Sequence, residues 1–339
     1  MTARKPAMRK PVPAKSDVDS ASDSSSVERE RIAQCIAGAE ADAGDDDANF
    51  VQLLERRLQG SPVLRSRSVI PVFPEPSPQR SFQVHSDPRY LANTRLLARR
   101  TGGGLRVIGG EIVPPGDFMD CVAVGNAQQW GCTGTLIAAN VVVTAGHCAN
   151  FATRIFIGRD VSKKGKSVHV VKRVPHPDYN HQGHNDLMVL LLAEPVVGVV
   201  PRTLATKTLI DKASDGRVVG FGATDATGML GYGVKRYVDV PIVSNACKGK
   251  LGTQQDRYMY GCDLGQELVA GRPLTERDSC KGDSGGPFYV LDAKGQWRLA
   301  GATSRATNSA MSNCGDGGIY VRIDRYRAWI ASIPGVVLP

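Results

Sequence analysis

A ten-residue stretch near the C-terminus concentrates residue types that serve covalent catalysis. Residues 278–287 read Asp-Ser-Cys-Lys-Gly-Asp-Ser-Gly-Gly-Pro, with Ser284 between Asp283 and Gly285. Neighbouring glycines let the backbone approach a ligand closely, and backbone N–H groups in such a turn can stabilise a developing oxyanion. Because a serine is a weak nucleophile without a base and a group that orients this base, the stretch predicts a histidine and a carboxylate elsewhere in the chain.

His147 and Asp186 are the candidates for these two roles. His147 follows the apolar run 141–143 and precedes Cys148, a setting that would hold a base within hydrogen-bond reach of its nucleophile. Asp186 stands directly before the apolar run 187–192. An aspartate that accepts an imidazole N–H fixes the tautomer of the base and stabilises the imidazolium. Taken singly, a structural histidine and a turn-forming aspartate are the alternatives, so the interpretation depends on all three residues together.

From residue 107 onward the chain predicts an all-β domain that would position these side chains. Short apolar runs alternate with Gly, Asn, Asp and Pro, which is typical of a β-barrel or β-sandwich. The runs expected as strands are 136–137, 141–143, 154–157, 168–174, 187–192, 218–219, 237–243, 287–291, 298–303 and 318–323. In this part of the chain, only 324–332 has a helical pattern.

Residues 1–106 predict a separate region in front of the domain at 107–339. Residues 1–26 are rich in Lys, Pro, Asp and Ser and offer almost nothing to bury, which is typical of disorder. The pattern then predicts helices over 27–43, 50–58 and 89–100, and a Pro-rich linker over 61–80.

Charge, cysteines and hydropathy narrow the class of protein. The net charge is +9, but no basic stripe with aromatic residues and no nucleic-acid-binding module is found, so we interpret the charge as a solubility feature. No run is long enough to span a membrane. Eight cysteines without a Cys-x-x-Cys pair favour disulfides, and so an extracellular or periplasmic location. The polar stretch 1–26 lacks the apolar core of a signal peptide, which leaves the export route open.

Three motifs resemble those of the trypsin/chymotrypsin family of serine proteases. They are, in order, Thr144-Ala145-Gly146-His147-Cys148, Asn185-Asp186-Leu187 and Gly282-Asp283-Ser284-Gly285-Gly286-Pro287. The resemblance covers 107 to about 335 and implies two six-stranded antiparallel β-barrels with a C-terminal helix. It also implies a catalytic triad in which Ser284 attacks the substrate, His147 transfers the proton and Asp186 orients His147.

The resemblance also assigns residues that would contact the substrate. The backbone N–H groups of Gly282 and Ser284 would form the oxyanion hole. Asp278 would form the floor of the primary specificity pocket and select Arg or Lys by charge pairing; the alternative is a loop aspartate with a local partner. The implied pocket walls are Ser304, Ala306 and Gly318, and the implied disulfides are Cys132–Cys148, Cys247–Cys262 and Cys280–Cys314.

Two residues depart from the family pattern, and two cysteines have no counterpart in it. Arg305 stands where the family usually has Trp, and Ala306 stands where trypsin-like members usually have Gly. The extra methyl group leaves the preference between Arg and Lys open. Cys35 and Cys121 could form a disulfide that tethers the N-terminal region, or could both be free thiols.

The sequence Arg106-Val107-Ile108-Gly109-Gly110 resembles the activation junction of the family. Cleavage after Arg106 would release the α-ammonium of Val107, which could fold inward and pair with Asp283, because either charge alone would be buried without a partner. Residues 1–106 would then be a pro-region, and an enzyme that cuts after Arg could cut its own junction. The alternative is that Val-Ile-Gly-Gly is only a strand and a turn.

These observations predict a secreted endopeptidase that cuts proteins or peptides after Arg or Lys and is made as a zymogen. We expect no cofactor, because the triad chemistry needs none. We also expect no metal site; in particular, a calcium site after the histidine loop is not expected, because the segment 159–166 is basic with only Asp160 to bind a hard cation. Protease inhibitors are further expected partners, and nucleic acid is not. Two alternatives stay open: an inactive homologue that acts as a binding protein, and a protease toxin or effector delivered without a signal peptide.

Overall fold

The computed structural model describes residues 88–100, 110–180, 183–224, 230–249, 255–271, 279–308, 310 and 317–338. The predicted helices at 27–43 and 50–58, the junction at 106/107 and the side chains of Cys35, Asp278 and Cys314 lie outside the described residues. In chain order the elements are α1 (Pro88–Arg100), β1 (Glu111–Ile112), β2 (Cys121–Gly125), β3 (Trp130–Ala138), β4 (Val141–Thr144), β5 (Arg154–Ile157), β6 (Lys166–Pro175), β7 (Met188–Leu192), α2 (Lys207–Lys212), β8 (Asp215–Gly220), β9 (Arg236–Ser244), α3 (Gln255–Tyr260), β10 (Glu267–Ala270), β11 (Pro287–Leu291), β12 (Trp297–Ala306), β13 (Gly318–Arg322) and α4 (Ile323–Ser332).

The first barrel closes from six antiparallel strands in the order β2-β3-β4-β7-β6-β5. Its interior is filled by branched aliphatic side chains such as Val122, Leu136 and Ile155, none of which is exposed to solvent. β4 and β7 are adjacent in register, with Val143 opposite Val189. The loop that follows β4 and the loop that precedes β7 therefore emerge at the same end of the barrel.

The second barrel has the strand order β9-β10-β13-β12-β11-β8, and it closes because β8 also pairs with β9. β1 adds to the outer edge of β9. The predicted all-β architecture of two six-stranded barrels is confirmed, as is the C-terminal helix, which runs over Ile323–Ser332. The predicted helix at 89–100 is present as α1.

Two short helices, α2 and α3, and three strands, β1, β2 and β10, were not predicted from the sequence. α2 begins where the Thr206 hydroxyl accepts a hydrogen bond from the backbone N–H of Leu209, a local cap in a segment too short for helical periodicity. β2 is buried along its whole length, and β10 carries the buried Glu267 at its start. Neither strand alternates polar and apolar residues, and this alternation is the signal of a half-buried strand.

A polar network joins the two barrels at their seam. Asp120 is 1% exposed and accepts hydrogen bonds from the Arg202 guanidinium and, at 2.6 Å, from the Tyr289 hydroxyl. The guanidinium of Arg202 also stacks 4.9 Å from the Tyr289 ring centroid. A buried carboxylate needs such charged and polar partners, so this network fixes how the barrels meet. No helix among the described residues is long and apolar enough to cross a membrane.

Candidate active site

The turn that carries Ser284 is shaped by glycines in the left-handed region. Gly282 and Gly285 have φ angles of +99° and +75°, which side chains with a Cβ rarely adopt. Space excludes a side chain as well, because a Cβ at Gly285 would lie 2.1 Å from Thr144 Oγ1 and 2.3 Å from the backbone N of Ala145. Ala145 is two residues from His147, so the turn packs against the loop that carries the predicted base.

Thr133 on β3 of the first barrel holds this turn from across the seam. Its side chain donates a hydrogen bond to the carbonyl of Gly282 (2.7 Å), and its backbone N–H donates to the carbonyl of Ser284 (2.9 Å). Among the described residues, no acceptor is found for the backbone N–H groups of Gly282 and Ser284. Thr133 was not predicted from sequence, because nothing local distinguishes it from other buried strand residues.

His147 lies in a single 3₁₀ turn, Gly146–Cys148, directly after β4. Its Nδ1 is 2.8 Å from Asp186 Oδ2, and its backbone N–H donates to Asp186 Oδ1 at 2.9 Å. The disulfide Cys132–Cys148 anchors the end of this turn to β3. A carboxylate that accepts Nδ1–H leaves the lone pair on Nε2, which is the arrangement a general base needs.

Asp186 is 2% exposed and its carboxylate accepts a third hydrogen bond, from the Ser304 hydroxyl at 2.7 Å. Burial by itself raises the pKa of Asp186, but the hydrogen bonds from His147 and Ser304 outweigh it and hold this pKa below its usual range. Asn185 stands before it with φ +52°, and its side-chain oxygen accepts from the Tyr326 hydroxyl of α4 at 2.9 Å. The C-terminal helix therefore braces the loop that carries the carboxylate.

The three predicted pocket walls that the structure describes lie on β12 and β13. Ser304 is buried, whereas Ala306 is exposed. Ala306 lies opposite Gly318 in the pairing of β12 with β13. A Cβ at Gly318 would lie 3.1 Å from Ser279 Oγ, and Ser279 is the residue next to the predicted floor, Asp278. The strand pair therefore packs against the turn that precedes Ser284, and the pocket that these residues would line stays a prediction.

Arg305, which stands where the family usually has Trp, forms an ion pair with a buried carboxylate. Its guanidinium forms a bidentate pair with Glu267 at 2.7 and 2.9 Å, and it donates to the carbonyls of Gly183 and Gly261 at 3.0 and 2.9 Å. Glu267 is 1% exposed, and burial raises its pKa although Arg305 opposes this effect. The sequence singled out Arg305 as a departure but gave no sign of Glu267, which is 38 residues away.

We expect Arg305→Ala to lower the free energy of unfolding by about 2–4 kcal/mol, because it leaves Glu267 as a buried carboxylate without its cation. This expected loss of stability is smaller than that for a fully buried ion pair, because Arg305 is 24% exposed. Urea unfolding monitored by tryptophan fluorescence measures the change. Arg298→Ala, which breaks a pair with Asp292, is the matched control and should change the midpoint much less, because Asp292 is 18% exposed whereas Glu267 is 1% exposed. An equal effect of both substitutions would contradict the assignment.

Asp283 is the neighbour of Ser284 and is enclosed by backbone. Its carboxylate accepts hydrogen bonds from the N–H groups of Gly222 (2.8 Å) and Cys280 (2.9 Å). A Cβ at Gly220 or Gly222 would lie 2.0–2.4 Å from its oxygens. Burial raises the pKa of Asp283 to about 6, and the two hydrogen bonds offset this only in part. No cationic side chain within the described ranges pairs with it.

Two of the three implied disulfides, Cys132–Cys148 and Cys247–Cys262, are present. Cys280 is also disulfide-bonded, but Cys314 lies outside the described residues. Cys121 is a free thiol with no solvent exposure, so the tether between Cys35 and Cys121 that the sequence left open is not formed. In the part of the chain that the structure describes, one cluster has metal-ligating types, Cys132, His147 and Cys148. Its sulfurs are in the disulfide, so it offers no thiolate to a metal.

A family model described as Trypsin matches residues 107–330. The chain belongs to the trypsin/chymotrypsin family of serine proteases. Membership in this family implies a hydrolase whose substrates are proteins or peptides.

Three relatives of this chain illustrate how much the sequences of family members differ. Mast cell protease 2 of Ovis aries is 28% identical over 266 residues, which span 74% of this chain and 98% of that protein.

Kallikrein-14 of Homo sapiens is 29% identical over 237 residues, which span 66% of this chain and 83% of that protein. Serine proteinase stubble of Drosophila melanogaster is 30% identical over 245 residues, or 66% of this chain, but these span only 30% of that protein. At these identities the substrate preference of a relative does not transfer to this trypsin-family chain.

Proposed function

We propose that this protein is a serine endopeptidase that cuts after Arg or Lys by means of Ser284, His147 and Asp186. The observation that supports this proposal most strongly is the double hydrogen bond between His147 and Asp186, at 2.8 and 2.9 Å. It holds the imidazole in the tautomer of a base. The packing of the Ser284 turn against the loop of His147 supports the remaining contact of the triad.

In the proposed mechanism, Ser284 Oγ attacks the substrate carbonyl while His147 Nε2 accepts the hydroxyl proton. The carbonyl oxygen becomes an oxyanion and receives hydrogen bonds from the N–H groups of Gly282 and Ser284. His147 then donates its proton to the leaving amine, and the C–N bond breaks to give an acyl-enzyme ester on Ser284. A water molecule, deprotonated by His147, hydrolyses this ester and restores the serine. Asp186 stabilises the imidazolium in both steps.

The preference for Arg or Lys is proposed to depend on Asp278. A carboxylate at the floor of a dry pocket pairs with a substrate cation and is left unpaired by a neutral side chain. We expect Asp278→Ser to lower kcat/KM for peptides ending in Arg or Lys at the cut site by about a hundredfold. The measurement uses four peptides that differ only there, with Arg, Lys, Phe or Ala.

A parental enzyme that prefers the Phe or Ala peptide would contradict the role of Asp278. If no peptide is cut after activation, the proposed chemistry itself is wrong, and the inactive homologue becomes the better interpretation. Asp178→Asn, which changes an exposed aspartate that is not among the predicted pocket residues, is the control and should leave the ratio between the Arg and Phe peptides unchanged.

We also propose that the protein is a zymogen activated by cleavage between Arg106 and Val107. The buried carboxylate of Asp283 supports this step, because it has two backbone donors and no cation among the described residues, so that the α-ammonium of Val107 would supply the missing charge. Incubating Ser284→Ala precursor with active enzyme and sequencing the new N-terminus tests cleavage in trans. A precursor that stays intact would exclude trans-activation by the enzyme itself.

The location proposed for the activated protein is outside the cytoplasm. Disulfides persist in oxidising compartments, and two complete ones lie in the described residues. Protease inhibitors of matching specificity are proposed partners. The role of residues 1–106 as a pro-region rests on the proposed junction.

A further inference from the structure

Helix α1 lies before the proposed junction, yet one of its faces packs on the second barrel. Leu97 is 1% exposed, whereas its neighbour Leu96 is 47% exposed. Tyr90 packs against the apolar cluster that contains Tyr260, Val269 and Ile319. Residues 90 and 97 are seven positions apart, which places them on the same side of a helix. The helix therefore buries an apolar stripe of its own against the protease domain.

Both ends of α1 are held by acidic residues of the domain. Arg89, at the start, forms two 2.8 Å hydrogen bonds with the carboxylate of Asp256, which is 0% exposed. Arg100, at the end, pairs with Asp215 at 2.6 Å and lies 3.4 Å from Asp239. The basic helix and the acidic surface beneath it are thus complementary in charge.

A backbone carbonyl of the second barrel also accepts a hydrogen bond from this helix. The side-chain amide of Asn93 donates a 2.7 Å hydrogen bond to the carbonyl of Ile242 on β9. The pairing of β9 with β10 shifts register beside this point, between Val269 and Ala270, and a shifted register leaves backbone groups without a partner strand. α1 therefore covers the sheet at the point where the pairing of β9 with β10 is irregular.

We propose that α1 stays bound to the second barrel after the junction is cut, so that the activated protein is a non-covalent complex of two chains. This inference rests on the proposed cleavage between Arg106 and Val107. Every contact named above joins α1 to the barrel or to α3, and none passes through the cut bond. Cys121 carries no disulfide, so a bridge from Cys35 to Cys121 does not hold the released segment, and the contacts named above would retain it.

The test uses the full chain with Ser284→Ala and a recognition sequence for an unrelated, highly specific protease in place of Thr101–Gly104. Cutting this protein requires no activity of its own. After cleavage at about 10 µM, where complexes with micromolar or lower Kd persist, gel filtration followed by intact mass spectrometry measures which chains elute together. We expect the two chains to co-elute in equal amounts.

Two pairs of adjacent residues provide matched variants. Leu97→Asp places a charge in the buried contact, and Leu96→Asp places the same charge on the exposed face. Arg100→Glu reverses the pair with Asp215, and Arg99→Glu reverses an exposed charge with no acidic partner in the described ranges. We expect at least a tenfold loss of co-elution for Leu97→Asp and Arg100→Glu, and none for the two neighbours. Arg100→Glu keeps the test valid if Leu97→Asp fails to fold.

Separation of the chains in the parent protein at this concentration would overturn the inference, as would equal losses from both members of each pair. The proposed function is judged apart, from peptide hydrolysis by protein that retains Ser284 and is cut at its natural junction. Active enzyme with a dissociated N-terminal chain contradicts only the retention of α1. A stable two-chain complex without hydrolysis contradicts only the proposed function.

Discussion

Asp186→Asn is expected to lower kcat for an Arg peptide by about ten-thousandfold while KM changes little. Two nitrogens of His147, its backbone N and Nδ1, now donate to the two carboxylate oxygens of Asp186. An asparagine has a single acceptor oxygen, so its NH₂ group would face one of these nitrogens. His147 would then shift its proton to Nε2, the atom that must accept the proton of Ser284. Substrate binding does not use this carboxylate, so the loss should fall on kcat.

Steady-state kinetics of the activated variant measure both constants, with Asp178→Asn as the isosteric control on an exposed carboxylate. The control should keep its full kcat. A loss below about tenfold in Asp186→Asn would show that Asp186 does not determine the tautomer. A rise in KM with kcat unchanged would assign Asp186 to substrate binding instead.

Ser304 also contacts the carboxylate of Asp186, in addition to its predicted place in the pocket wall. Its hydroxyl donates to Asp186 Oδ2, so a residue predicted as a pocket wall also stabilises the ionised carboxylate. Asp186 thus has two side-chain donors, His147 and Ser304, on the oxygen that faces the base. Such shared use means that substitutions of Ser304 would alter both specificity and turnover.

The sequence predicted the fold and the candidate site wherever the signal was local. The loop motifs around His147, Asp186 and Ser284 are contiguous, and the short apolar runs identified most strands of both barrels. The bounds of β5 and β11 agree with the predicted runs. Local signals suffice for these features because turn geometry and strand burial are set by neighbouring residues.

Contacts between distant residues could not be predicted in this way. Thr133, which holds the nucleophile turn, and Glu267, which pairs with Arg305, are ordinary strand residues in the sequence. Their roles arise only when the two barrels meet, because a buried polar group is satisfied by whatever folding brings near it. The packing of α1 belongs to the same class, since its partners Asp215 and Asp256 lie more than a hundred residues away.

Asp283→Asn is expected to have opposite effects on the precursor and on the activated enzyme. Burial raises the pKa of Asp283 from 3.8 to about 6, so the unfolded chain releases this proton at a lower pH than the folded precursor. The contribution of this group to the stability of the precursor is therefore full below about pH 4 and is lost as the pH rises through 6. A shift of about two units corresponds to about 3 kcal/mol. The asparagine, which does not ionise, escapes this loss.

Urea unfolding of the Ser284→Ala precursor, with and without Asp283→Asn, measures this effect. Between pH 4 and pH 7, the difference in free energy of unfolding should change by about 2–3 kcal/mol in favour of the variant. The loss of one backbone hydrogen bond to Asn is the same at both pH values and cancels. Asp160→Asn, whose carboxylate accepts hydrogen bonds from the nearby Ser162, is the control and should show no such gain.

In the activated enzyme the sign reverses, because the α-ammonium of Val107 now needs the charge that the asparagine lacks. An ammonium buried beside a neutral amide costs about 3–5 kcal/mol, so the new N-terminus stays outside and kcat/KM falls about a thousandfold. Peptide hydrolysis after complete cleavage at Arg106 measures this loss. A role of Asp283 in packing alone would lower stability and activity together at every pH. A variant that gains stability as a precursor between pH 4 and pH 7 and loses activity as an enzyme requires a carboxylate whose charge is unpaired before cleavage and paired after it.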